Sequence, residues 1–147
     1  MASYGPDSYE LTVHTKRGGA AAKAGHDLTI LVERWNATLA EDGELSFEAD
    51  SSSFRVLAGS GGAFTLGEEE KAAIKQTIDE EILKGSPITY RGGELTFNGV
   101  SRPVAFSFDG AEGSASVKQT DFKIKPYSAL FGTLKVADVV EVKVRSK

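Results

Sequence analysis

Residues Glu94 to Phe108 read Glu-Leu-Thr-Phe, then Asn-Gly-Val-Ser-Arg-Pro, then Val-Ala-Phe-Ser-Phe. Apolar and polar residues alternate in the outer runs, and the link between them holds Asn98-Gly99 and is closed by Pro103. That pattern specifies an antiparallel β-hairpin with one buried face. Successive strand side chains point to opposite faces, so Leu95 and Phe97 share a face that Val104, Phe106 and Phe108 can meet from a returning strand. Glu94, Thr96, Ala105 and Ser107 turn away from that apolar wall. A wall of this kind must close on its own side chains or around something else.

The same alternation recurs along the chain. Tyr9, Leu11 and Val13 alternate with Glu10, Thr12 and His14; Leu45 and Phe47 with Ser46 and Glu48; Val140, Val142 and Val144 with Glu141, Lys143 and Arg145. Between His26 and Leu39 the phase changes: Leu28, Ile30 and Val32 are apolar at even positions, Trp35, Ala37 and Leu39 at odd ones. A bulge or bend near Glu33-Arg34 reconciles the halves, and sheets that curve into barrels use such devices. Turn signals at Gly18-Gly19, Asp42-Gly43, Gly92-Gly93, Asn98-Gly99 and Asp109-Gly110 carry the spacing of an all-β meander. The exception is Glu68 to Lys84, which opens on three acids, places Ile74, Ile78 and Ile82 four apart and ends at Lys84-Gly85. It is expected as one amphipathic α-helix over about 68–84, lying against the sheet or across an opening and staying out of the core.

At 147 residues, 40% hydrophobic and 26% charged, the chain has the proportions of one globular domain spanning 1–147. It has no cysteine, which excludes disulfides, thiolate metal sites and cysteine nucleophiles. The first ten residues carry neither a basic segment nor an apolar stretch. No run approaches the roughly 18 apolar residues that span a bilayer, so a soluble cytoplasmic protein is expected. Charge is uneven: residues 1–112 hold 10 Lys and Arg against 18 Asp and Glu, a balance of −8, and residues 113–147 hold 7 against 3, a balance of +4. Lys118, Lys123, Lys125, Lys143 and Arg145 could form an anion-attracting stripe, but outward lysines that guard strand edges account for them more simply. A pI near 5.2 without a recognition motif argues against nucleic-acid binding.

Candidate chemistry is sparse. His26-Asp27 with His14 invites a metal or phosphohydrolase reading, but strand phase turns His14 outward and His26 inward, so at most one ring can serve any site. A lone buried histidine is usually a hydrogen-bonded core residue, and no metal site is assigned. Gly59-Ser60-Gly61-Gly62 precedes the helix but lacks the Gly-Lys-[Ser/Thr] ending of a phosphate loop, and Glu68, Glu69 and Glu70 would repel a phosphate. No catalytic constellation emerges and no cofactor is implied. The apolar interior is what remains, and the 8 Phe could either fill a small barrel or line it.

The hairpin Gly-Glu-Leu-Thr-Phe-Asn-Gly-Val-Ser-Arg-Pro-Val-Ala-Phe-Ser-Phe resembles a recurrent segment of the YceI-like family, the lipocalin-like polyisoprenoid-binding proteins. Ala24-Gly25-His26-Asp27-Leu28 is similar to the Gly-His-Asp-Leu of one branch, Asp121-Phe122-Lys123-Ile124 to an Asp-Phe-x-Ile run, and Val136 to Val144 to the closing strand. The resemblance covers most of residues 9–145 and implies an eight-stranded antiparallel β-barrel with helical excursions. It also implies a non-enzymatic carrier of a long apolar or amphiphilic ligand: a polyisoprenoid, a quinone tail or a fatty-acid derivative. Carried over by position, the ligand-binding wall comprises His26, Leu28, Ile30, Val32, Leu95, Phe97, Val104, Phe106, Phe108, Phe122, Ile124, Val140 and Val142. Tyr127, Leu130 and Phe131 would form a flap or rim, or a loop packed over the barrel end. The rival reading is a filled barrel, a non-catalytic interaction or stress-response module that dimerises through exposed strand edges.

Overall fold

The computed structural model describes residues 2–18, 27–60, 67–124, 128–129 and 134–147. Its strands are β1 (Ala2–Tyr4), β2 (Tyr9–His14), β3 (Arg17–Gly18), β4 (Asp27–Val32), β5 (Trp35–Leu39), β6 (Leu45–Ala49), β7 (Phe54–Ser60), β8 (Ile88–Arg91), β9 (Glu94–Phe97), β10 (Val100–Pro103), β11 (Ser107–Phe108), β12 (Glu112–Lys118), β13 (Ser128–Ala129), β14 (Leu134–Val136) and β15 (Val139–Ser146). One helix, α1 (Glu68–Thr77), lies between β7 and β8. The protein is mostly β, and its ladders form a six-stranded sheet ordered β1-β5-β6-β8-β9-β10, a second ordered β11-β12-β15-β2-β4-β7, and a three-stranded sheet β13-β14-β3. The expected eight-stranded ladder is thus divided, because several strands lose pairing where they bend from one sheet to the other. Among the described residues, no helix is long and apolar enough to cross a membrane.

The phase change at Glu33-Arg34 is one of those bends. β4 belongs to the second sheet and β5 to the first, and both halves keep their apolar residues inward: Ile30 and Val32, then Trp35 and Ala37, are all buried. The corner is held from the neighbouring chain segment. Glu33 N–H donates to the Ser53 carbonyl at 2.9 Å, Asp50 N–H to the Arg34 carbonyl at 2.9 Å, and Arg34 N–H to Ser53 Oγ at 3.0 Å. Asp50 caps the 3₁₀ turn Ser51–Ser53 that carries β6 into β7, and its carboxylate accepts from Ser52 N–H and from Arg34 Nε, each at 2.9 Å. The Ser52 hydroxyl, which donates to Oδ1 at 2.6 Å, does most to hold the Asp50 carboxyl down at about 2, and the Ser52 N–H and Arg34 add to it.

The hairpin forms with a tighter turn than expected. Asn98 and Gly99 have φ of 54° and 73°, the paired left-handed conformations of a two-residue turn, and β10 begins at Val100. The register pairs Val100 with Phe97 and Pro103 with Glu94. Val104 to Phe108 is therefore not the partner of β9. Val104–Phe106 crosses between the sheets, and β11 pairs with β12. Proline at the last paired position of an edge strand leaves no ladder donor missing.

The helix also departs from expectation. α1 is followed by a π-helical turn, Ile78–Leu83, closed by Lys84 N–H donating to the Asp79 carbonyl at 3.0 Å, with Lys84 in the left-handed region at φ 51°. The wider turn brings Leu83, five residues on, to the side of Ile78, and both are buried in the core with Ile74 packed against them. Ile74, Ile78 and Leu83 thus join the core. Of the lysines expected at sheet edges, Lys143 lies with Arg145 on β15, which is flanked by β12 and β2, so their exposed side chains guard no edge.

Candidate apolar cavity

The two six-stranded sheets face each other across a cavity of about 580 Å³. Strand alternation builds its walls. From β2 come Tyr9, Leu11 and Val13; from β4, Leu28, Ile30 and Val32; from β15, Val140, Val142 and Val144; from β5, β6 and β8, Trp35, Ala37, Phe47 and Tyr90. Ile74, Ile78 and Leu83 of the helical segment, Phe122 at the end of the 3₁₀ turn Gln119–Phe122, and Ile124 after it complete it. Among the described residues Phe122 is the most buried large side chain, 1% exposed. Its ring lies 6.5 Å from that of Phe97, and its carbonyl accepts from Asn98 Nδ2 at 3.0 Å. The hairpin turn is thereby pinned to the segment that follows β12.

Leu28, Ile30, Val32, Leu95, Phe97, Val104, Phe106, Phe108, Phe122, Ile124, Val140 and Val142, selected from the sequence, all line this cavity. His26, Tyr127, Leu130 and Phe131 lie outside the described residues. The sequence reading missed the helical contribution and several first-sheet residues. Trp35, Ala37 and Phe47 carried the signal, since they continue the same alternation past the bend. Tyr4 carried little, because a three-residue strand is too short to show a period.

The wall is apolar with few polar exceptions. Thr15 and Gln119 lie at one end of the second sheet, each already engaged: Thr15 Oγ1 accepts from Leu28 N–H at 3.2 Å and Gln119 Nε2 donates to the Ala137 carbonyl at 3.1 Å. Tyr90 turns its hydroxyl to the Val104 carbonyl at 2.7 Å, and burial raises its pKa above the ordinary tyrosine value. Tyr4, Tyr9 and Phe108 gather at the opposite end, Tyr4 meeting Tyr9 and Phe108 edge-on at 5.1 and 5.0 Å. Trp35 Nε1 is buried without a hydrogen-bond partner, the indole donor of an otherwise apolar neighbourhood.

His14 does not line the cavity. It is half-buried on the other face of β2, its Nε2 2.9 Å from Thr12 Oγ1, and burial together with Lys143 and Lys16 lowers its pKa. Among the described residues no three His, Cys, Asp or Glu side chains gather as a metal-binding group.

A family model described as a YceI-like domain matches residues 12–147. Among solved structures, the chain is similar to BcnA of Burkholderia cenocepacia, with 16% identity, TM-score 0.55 and 94% of each chain covered. It is also similar to a polyisoprenoid binding domain from Saccharophagus degradans implicated in plant cell wall breakdown, with 9% identity, TM-score 0.53, 100% of this chain and 99% of that one covered. At these identities the likeness concerns the fold. No curated protein matches the chain.

Proposed function

The chain belongs to the YceI-like family, and from that premise we propose that it is a non-catalytic carrier enclosing a long apolar or amphiphilic molecule, such as a polyisoprenoid, a quinone tail or a fatty-acid derivative. One observation carries the reading: a cavity of about 580 Å³ remains between the sheets, lined by apolar side chains from both. Its volume falls in the usual range of small-molecule sites. The rival of a barrel filled by its own aromatics is less well supported, because the described Phe, Tyr and Trp side chains line that space without filling it. Burying a chain there contributes about 0.8 kcal/mol per methylene, so a modest chain suffices for tight binding without polar contacts.

We read the two sheets as one closed wall of eight bent strands, and the order of pairing supports this. The segments β1-β2, β4-β5 and β6-β7 run side by side: β2 pairs β4 and β1 pairs β5, then β4 pairs β7 and β5 pairs β6. β6 then pairs β8, β8 pairs β9, and β9 pairs β10. β10 continues through Val104–Phe106 into β11, which pairs β12, and β15 links β12 back to β2. A wall whose end strands β1, β7, β10 and β11 continue through their bends into the facing sheet suits a container.

Native mass spectrometry of protein purified without detergent tests the proposal. A co-purifying apolar chain is expected, and protein that emerges empty and takes up no isoprenoid alcohol, quinone or fatty alcohol rejects it. Phe106→Ala adds a second arm. A half-buried wall residue should lose ligand affinity while costing less than the roughly 3–5 kcal/mol of a fully packed ring.

A further inference from the structure

Lys143 guards no sheet edge, and the outer face on which it stands differs from that of the first sheet. The alternation that sends Val140 and Val142 into the cavity turns Val139, Glu141 and Lys143 outward on β15; Val13 and Thr15 likewise face in, and His14 and Lys16 face out. Lys118 stands opposite Val139, Glu141 opposite His14, and Lys143 opposite Thr12, whose row runs on through Leu31 to Arg55. Lys16, Lys118, Lys143 and Arg55 are all exposed. Two carboxylates lie among these four cations, and both are engaged: Glu141 accepts from the Ser116 hydroxyl at 2.8 Å, Asp138 from Thr120 N–H and Oγ1 at 2.8 and 2.6 Å. That is a local balance of +2 on a chain whose net charge is −4. Burial does most to lower the His14 pKa, and Lys143, Lys16 and Arg145 push it the same way against Glu141 alone, as a positive field does. The excess runs out further along β15, where Arg145 has Glu10 at 3.6 Å and Glu112 as its cross-strand partner. On the outer face of the first sheet, Glu48, Thr89, Thr96 and Ser101 form a row that holds no cation.

Val139, 44% exposed, is the one exposed large hydrophobic side chain among the described residues. It stands opposite Lys118 and two residues past Ala137, whose N–H donates to the Lys16 carbonyl at 2.7 Å, so cations flank it on both neighbouring strands. We propose that this end of the second sheet's outer face is a docking surface for a bilayer that carries anionic lipids. The cations lie against the charged headgroups, and Val139 enters the headgroup layer between them. A fitted protein interface centres on buried aromatic side chains, and the described rows of this face hold no Phe, Tyr or Trp. A fluid surface asks only for positive charge and an apolar side chain to lower into it. Lys16, Lys118 and Val139 are also the chain neighbours of the cavity-wall residues Thr15, Gln119 and Val140. Docking therefore brings that end of the cavity against the membrane, and the contact does not depend on what the cavity carries.

The test is flotation of the full chain with phosphatidylcholine vesicles, with and without phosphatidylglycerol. The protein should float with the mixed vesicles, stay behind with the neutral ones, and be released at about 1 M salt, where the screening length falls to about 3 Å. Each cation near an anionic surface is worth roughly fivefold in partitioning, so the double variant Lys118→Gln, Lys143→Gln should bind about 25-fold more weakly. Val139→Asp should weaken binding as well. Arg91→Gln, which removes an exposed cation from the outer face of the first sheet, should leave binding unchanged. All of these side chains are exposed, so the variants should melt as the parent does, and that is checked alongside. Flotation with neither vesicle, equal flotation with both, or a loss in Arg91→Gln as large as in the double variant overturns the docking surface. Retention on polyglutamate by a protein that floats with neither vesicle assigns the face to an acidic polypeptide and overturns the bilayer. Protein that floats as expected but purifies empty and takes up no apolar chain keeps the docking surface while the carrier reading falls.

Discussion

The first sheet presents Tyr4, Trp35, Phe47, Tyr90 and Phe97 to the cavity beside smaller residues such as Ala37 and Leu95, whereas the second presents fewer aromatics, Tyr9, Phe54 and Phe108, among a majority of aliphatics such as Leu11, Ile30 and Val142. Both faces obey the same alternation, yet they differ in reach. Aromatic rings extend far enough to touch one another, as Trp35 and Phe47 do at 6.2 Å, and Tyr90 with Phe106 at 6.3 Å. β-Branched side chains stay close to the backbone and make a thin, stiff layer. A wall richer in long side chains opposite one richer in short ones leaves space that two fully aromatic walls would close. The cavity is therefore a property of the pair of sheets and of neither alone.

The largest effect is expected where a single ring joins the two faces. Phe122→Ala removes the most buried large side chain and should cost about 3–5 kcal/mol, measured by urea unfolding. A loss of well under 1 kcal/mol would mean that this segment does not close the core. Next comes Gly113 on β12, where a Cβ would stand 2.7 Å from the Ser107 carbonyl oxygen and 3.0 Å from Phe108 and Val144. Gly113→Val should cost about 1–3 kcal/mol by forcing β11 away from β12, and an unchanged melting temperature would contradict that close approach.

The comparison itself is tested by exchanging reach. Val142→Phe puts a long side chain on the short-reach face and should weaken ligand binding by at least about tenfold, or about 1.4 kcal/mol, with the melting temperature held or raised. Phe47→Leu on the opposite face should instead lower stability and enlarge the site. Equal outcomes for the two would show that reach does not govern the space.

The smallest effect concerns the corner that joins the sheets. Asp50 is exposed, and its carboxyl is held at about 2 by Ser52 and Arg34. A depressed carboxylate pKa contributes stability that is present above the unfolded value of 3.8 and fades as pH falls through about 2. Asp50→Asn should therefore be slightly less stable than the parent near neutral pH, with the difference vanishing in that acid window. A difference that persists below it would assign the effect to the turn geometry and not to the charge.

Much of the wall was legible in the sequence because strand alternation is a local property: a two-residue period states which side chains share a face wherever the strand goes. Leu28, Ile30 and Val32 were read this way, as were Val140 and Val142, and the phase change at Glu33-Arg34 marked the bend between sheets. Three features escaped. Val104 to Phe108 keeps the alternation of a hairpin strand, but Asn98 and Gly99 both accept left-handed backbone, so the return begins four residues earlier and the alternating run crosses to the other sheet. The Ile74, Ile78, Ile82 spacing described an α-helix throughout, whereas the last turn widens and Leu83 joins Ile78 in the core. Lys143 and Arg145 looked like edge guards because a sequence does not say which strands have two neighbours.

The sequence by itself determined an all-β chain with one helical insertion, its inward faces, its bends and its family, since each rests on residues near one another in the chain. Only the tertiary structure decided that the two inner faces stand far enough apart to leave about 580 Å³ between them. Volume depends on how far unlike side chains reach across from strands distant in sequence, and no local period encodes that distance.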